Sequence, residues 1–141
     1  MTTTIHQKAG SIIIALILAG LVLGTTCAAA DPTTLEITAI KSGIGKVCMT
    51  VKNTGNENAT NVTLTISVTG GLLHRINVTK VCGGCGNCSN IIPPNGTKTE
   101  CAKGIFGLGS VTIAASAEAL NADKVNVTKT GVVLGPFVII K

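Results

Sequence analysis

Residues 46–69 (KVCMTVKNTGNENATNVTLTISVT) constrain the fold more than any other stretch, because they hold two segments of strict period two on either side of a Gly/Asn-rich turn. Val47, Met49 and Val51 alternate with Cys48, Thr50 and Lys52, and Val62, Leu64, Ile66 and Val68 alternate with Thr63, Thr65, Ser67 and Thr69. Successive side chains of a strand point to opposite faces, so each segment has one apolar and one polar face and reads as a half-buried strand. The pair reads as a hairpin-like unit joined through residues 53–58, whose Asn and Gly residues accept the backbone angles of turns.

The same alternation recurs along the chain. LEITAI, with Leu35, Ile37 and Ala39 on one face, predicts a first, edge strand. Ile76 and Val78 alternate with Asn77 and Thr79 in a fourth strand. Residues 97–103 form a polar strand candidate. Val111, Ile113, Ala115 and Ala117 alternate with Thr112, Ala114, Ser116 and Glu118 and mark a clearer strand, and residues 121–123 turn the chain. The last stretch, KVNVTKTGVVLGPFVIIK, is divided by Gly135-Pro136; proline cannot donate to a ladder, so a bend is expected there and a buried closing strand over residues 137–140. Phe106 and Phe137 are the only aromatic residues, so the core must be built from small and β-branched side chains. About seven short strands without helical periodicity predict an all-β domain, a two-sheet β-sandwich, with a barrel as the competing architecture.

Residues 1–30 read as an N-terminal export signal preceding a domain at 31–141. Lys8 supplies the positive end, residues 11–23 (SIIIALILAGLVL) the apolar stretch and Ala28-Ala29-Ala30 the small residues for cleavage. The apolar run falls short of the roughly 20 residues of a membrane span. Two alternatives keep the protein tethered: lipidation of Cys27, or retention of the apolar helix after processing at Lys8-Ala9-Gly10, which resembles an archaeal prepilin cleavage site. Contact with a membrane is expected only through such a retained leader or lipid. The formal charge of +5 includes Lys8 and is otherwise carried by scattered cations. With no basic cluster and no aromatic platform for stacking bases, nucleic acid is not an expected partner.

Three stretches, VCMTVKNTGNENATNVTLTISVTGG, IIPPNGTKTE and GIFGLGSVTIAASAEA, resemble in their order the CARDB-type and related immunoglobulin-like modules of archaeal and bacterial cell-envelope proteins. There a strand ends in an Asn-Thr-Gly turn, a Pro-Pro-x-Gly loop follows, and a Gly-rich approach leads to the penultimate strand. The resemblance covers most of residues 35–141. It implies an immunoglobulin-like sandwich acting as an extracellular structural or adhesion module without catalysis, whose partner is a cell-surface or envelope protein or glycan, with self-association as a further option. The cysteine-bearing insertion at residues 82–88 departs from the family pattern.

Five cysteines follow the leader: Cys48, Cys82, Cys85, Cys88 and Cys101. An exported setting favours disulfides, which would order the Gly-rich 82–88 segment. In an immunoglobulin-like strand order the strand of Cys101 lies alongside that of Cys48, so a Cys48–Cys101 bridge is one pairing the order allows; spacing alone does not determine connectivity. The rival reading is a thiolate metal site in which Cys82, Cys85, Cys88 and Cys101 hold zinc or an iron–sulfur cluster. A thiol-redox use of the Cys-x-x-Cys pairs lacks the helix N-terminus that lowers a thiol pKa. Asn58, Asn61, Asn77, Asn87, Asn95 and Asn126 all head N-glycosylation triplets. His74 is the single histidine after the leader and sits beside Arg75 on what reads as a solvated strand. The acids are dispersed, and no catalytic or cofactor-binding set emerges.

Overall fold

The computed structural model describes residues 33–83 and 90–141. Within them eight strands form two antiparallel sheets: β1 (Leu35–Gly43), β2 (Lys46–Asn53), β3 (Thr63–Gly70), β4 (Ile76–Cys82), β5 (Thr97–Lys103), β6 (Gly107–Ala119), β7 (Ala122–Gly135) and β8 (Phe137–Ile140). The first sheet has the order β1-β2-β5 and the second β4-β3-β6-β7-β8. The domain is thus the expected two-sheet, immunoglobulin-like β-sandwich, with one more strand than expected because the stretch before Gly135-Pro136 is itself a strand, β7, onto which the predicted closing strand, β8, folds back.

The core lies between the sheets and is built from the inward face of each alternating segment. Val47, Met49 and Val51 of β2, Leu64, Ile66 and Val68 of β3, and Ile113 and Val133 from β6 and β7 are all fully buried. Neither phenylalanine joins them, so aliphatic side chains alone fill the space.

Three expectations are corrected. β2 and β3 are not a hairpin: they lie in different sheets, and residues 54–62 carry the chain across the sandwich. An alternating strand looks the same whichever strand it pairs with. What separates these two is the connection, whose Ala59 and Val62 are buried and whose Ala59 bridges Ile92. Second, Leu35, Ile37 and Ala39 do not share one face throughout β1. A bulge between Ile37 and Ala39 shifts the register so that Ile40 lies opposite buried Met49 and Ala39 opposite Thr50. The Thr38 hydroxyl bonds the Thr50 carbonyl at this irregularity. Third, β8 is an edge strand rather than a buried one: Val138 is buried, while Phe137 and Ile139 are exposed.

The predicted polar strand is real and sits at one edge of the three-stranded sheet, as β5. Lys98 and Glu100 lie opposite buried Val51 and Met49, so they lean toward the interior from the edge. Inward-leaning charges of this kind oppose pairing with a second molecule at that edge.

Candidate functional site

The two ends of the sandwich are chemically different. At one end, reached by the end of β2, the start of β3, the start of β5 and the β6–β7 turn, polar side chains tie the loops together. Asn53 is fully buried. Its side-chain nitrogen donates to the Glu57 and Ile92 carbonyls at 2.7 and 2.8 Å, and its side-chain oxygen accepts from the Gly55 N–H at 2.9 Å. Its backbone N–H donates to the Gly96 carbonyl and its carbonyl accepts from Asn95. The Asn-Thr-Gly turn and the Pro-Pro-Asn-Gly loop, far apart in sequence, are thereby one structure. Asn121 plays a similar part in the β6–β7 turn, accepting from Thr60 and donating to the Thr33 hydroxyl and the Asn58 carbonyl.

At the opposite end the loops present apolar side chains to solvent. Ile44 in the β1–β2 turn, Leu72 and Leu73 in the 3-10 turn Leu72–His74, Phe106 before β6, and Leu108, Leu134, Phe137 and Ile139 along β6, β7 and β8 are all exposed. Leu73, Phe106 and Ile44 expose 77%, 73% and 71% of their surface, values that leave most of each residue in solvent. Leu108 lies opposite Leu134, and Leu134 opposite Phe137, so these three form a row across the outer face of the five-stranded sheet. Leu72, Leu73, Phe106 and Leu108, with Arg75, line a groove of about 500 Å³. Exposed apolar residues scattered singly need no explanation, but a contiguous group marks an interaction surface. Among the described residues, Val81, Ile91 and Leu120 are the large exposed apolar side chains outside this group.

The tip is held by backbone hydrogen bonds between loops. Ile105 N–H donates to the Gly45 carbonyl at 3.1 Å, Gly45 N–H to the Pro136 carbonyl, and Gly71 N–H to the Ser110 carbonyl at 2.7 Å. Ile44 also bridges Phe137, which closes one sheet onto the other. Leu73 has φ +55° and His74 φ +53°, left-handed values that L residues with bulky side chains rarely adopt. Gly109 could not be replaced freely here, because a Cβ on it would stand 2.9 Å from the Leu72 nitrogen.

The residues singled out from sequence are distributed as follows. Cys48 and Cys101 lie directly opposite each other on β2 and β5, with Cα atoms 4.0 Å apart, and form a disulfide within one sheet. Cys82, buried at the end of β4, is also disulfide-bonded. Two members of the four-thiolate set are therefore oxidised in this structure, while Cys85 and Cys88, like Cys27, lie outside the described residues. Among the described residues, three or more His, Cys, Asp or Glu side chains are nowhere grouped for a metal. His74 stands exposed in the 3-10 turn rather than on a strand. Of the six sequons, Asn58, Asn61, Asn77, Asn95 and Asn126 are exposed; Asn58, Asn61 and Asn95 belong to the loops of the polar end, and Asn87 lies outside the described residues. The leader does too, and among the described residues no helix is long and apolar enough to cross a membrane.

The apolar tip was not found from the sequence, although a signal exists. Both phenylalanines, Leu72 and Leu108 lie within two residues of a glycine, in segments (GLLHR, GIFGLG, LGPF) where the alternation stops. Of the bulky apolar residues in GIFGLG, Ile105 is buried, while Phe106 and Leu108 face solvent.

No family model and no curated protein matches the chain. A solved structure described as "X-ray structure of Northeast Structural Genomics Consortium target SoR45" is similar at 14% identity and a TM-score of 0.43, over 74% of this chain and 84% of that one.

Proposed function

We propose that the protein is a non-catalytic, exported module of the cell envelope or cell surface that binds its partner through the apolar tip. The observation that carries this reading is the gathering of both aromatic residues and most of the large exposed apolar side chains at one end of the sandwich, on loops and adjoining strand ends that the backbone locks together. Export agrees with the disulfides at Cys48–Cys101 and Cys82, which persist in oxidising compartments. The exposed sequons agree with it as well, Asn58, Asn61 and Asn95 lying in loops of the polar end and Asn77 at the start of β4.

The test is retention on cell-envelope material. Full-length protein and a Phe106→Ser/Phe137→Ser variant are incubated with envelope fractions of the native host and washed. Retention of the parent and loss of the variant, with equal thermal stability of the two in solution, is the expected result. Equal retention of both, or of neither, overturns the reading.

A further inference from the structure

The acids are distributed along the sandwich as unevenly as the apolar surface, whereas cations occur at both ends, with Lys52, Lys98 and Lys124 at the polar one. Lys46 opens β2 and Lys103 closes β5, directly opposite each other at the tip end. Lys41 lies near the end of β1, opposite Cys48, and Arg75 borders the apolar groove. The Lys46 side chain leans over Gly43, where an added Cβ would stand 3.0 Å from its Cε. The acids lie elsewhere. Glu36 is at the start of β1, Glu57 in the 54–62 connection, Glu118 near the end of β6 and Asp123 at the start of β7, all at the polar end, and Glu100 is mid-strand opposite Met49. Among the described residues no carboxylate belongs to the tip.

We infer that the tip docks onto the surface of a lipid bilayer with anionic headgroups: Leu73, Phe106, Ile44 and Leu72 enter the acyl boundary, and Lys46, Lys103 and Arg75 meet the phosphates around them. This deepens the proposed function by naming the partner chemistry, and it rests on that reading. Side chains exposed by more than two thirds on separate loops project outward from the domain, which suits a fluid surface they can enter. Long basic side chains beside an apolar patch keep their stems on the apolar zone and their charges at headgroup level. A second copy of the chain fits the tip poorly, since a tip-to-tip contact would bring the cations of both copies together with no acid between them.

Vesicle sedimentation tests this with full-length protein. Phosphatidylcholine vesicles with and without 30 parts in 100 of phosphatidylglycerol serve as probes at roughly physiological salt. The parent is expected to bind the anionic vesicles and to lose about fivefold in affinity per cation removed, hence about 25-fold in Lys46→Gln/Lys103→Gln. Phe106→Ser and Leu73→Gly are expected to abolish binding; glycine accepts the backbone angle at residue 73, so the latter keeps the fold. All variants carry the same leader, so binding that none of them changes is leader-borne and overturns the proposal. Equal binding to neutral and anionic vesicles overturns the headgroup assignment. Tip-dependent dimers in analytical ultracentrifugation, without vesicle binding, overturn it in favour of a second copy. Tip-dependent retention on envelope fractions with no binding to either vesicle overturns the lipid partner and leaves the proposed function standing.

Discussion

The side-chain amide of Asn53, at the end of β2, donates a 2.8 Å hydrogen bond to the carbonyl of Ile92, in the loop that leads to β5. The same nitrogen holds Glu57 and the same side chain receives Gly55, all without solvent. Asn53→Ala would strip a buried cluster of its shared partner. The loss is expected to be about 2–4 kcal/mol in urea unfolding, from several hydrogen bonds of about 1 kcal/mol each and the desolvated groups left behind. Asn53→Asp, which turns the donor toward two carbonyls into an acceptor, is expected to cost more than alanine. A smaller loss for aspartate would show that the amide is not the donor.

Cys48 and Cys101 are separated by 53 residues and bridged on the outer face of the three-stranded sheet. Closing a loop of that length removes unfolded-state entropy worth about 4 kcal/mol in the chain-entropy model, and measured values run at about 2–4 kcal/mol. The double variant Cys48→Ser/Cys101→Ser is therefore expected to fold with a stability lower by that amount and an unchanged circular dichroism spectrum, because the core residues are elsewhere. The measurement is urea unfolding of parent and variant under non-reducing conditions.

The bulge in β1 makes neighbouring positions unequal. Ile40 packs against the core and Ala39 lies opposite Thr50 on the outer side. Ile40→Lys is expected to cost about 1–3 kcal/mol and Ala39→Lys to fall within about 0.5 kcal/mol of the parent, as for surface substitutions generally. Strict alternation from Leu35 predicts the reverse order, so the pair of melting curves decides between them.

Gly55 is required by close approach rather than by a turn angle. A Cβ there would stand 2.8 Å from both the Thr33 Cα and the Thr34 nitrogen, at the point where Thr54 N–H bonds the Thr34 carbonyl. Gly55→Ala forces backbone apart and is expected to cost about 1–3 kcal/mol, the range for overpacking. Hydrogen exchange should show the loss as faster exchange at Thr54.

Leu73 gives the opposite kind of prediction. It holds a left-handed backbone angle and is almost fully exposed, so Leu73→Gly removes strain of about 1–2 kcal/mol and adds a comparable entropic cost. Thermal stability is expected to stay within about 1 kcal/mol of the parent. A larger fall would mean that the leucine serves the fold and not the surface.

What the sequence determined by itself is the set of strands other than β7, and most of their inward faces. Val47, Met49, Val51, Leu64, Ile66 and Val68 could be assigned to a core because a strand's side chains alternate whatever it pairs with, and the scarcity of aromatics already implied an aliphatic interior. Period two carries no information about which strand lies next to which. That is why β2 and β3 looked like a hairpin and proved to belong to different sheets, and why a one-residue bulge moved Ile40 inward unseen. The meeting of Cys48 with Cys101, of Asn53 with Ile92, and of Ile44, Leu73, Phe106 and Phe137 at a single tip each joins residues distant along the chain. Such encounters are decided by strand order and loop path, and only the tertiary structure decided them, because no local pattern records which loops will end at the same end of a sandwich.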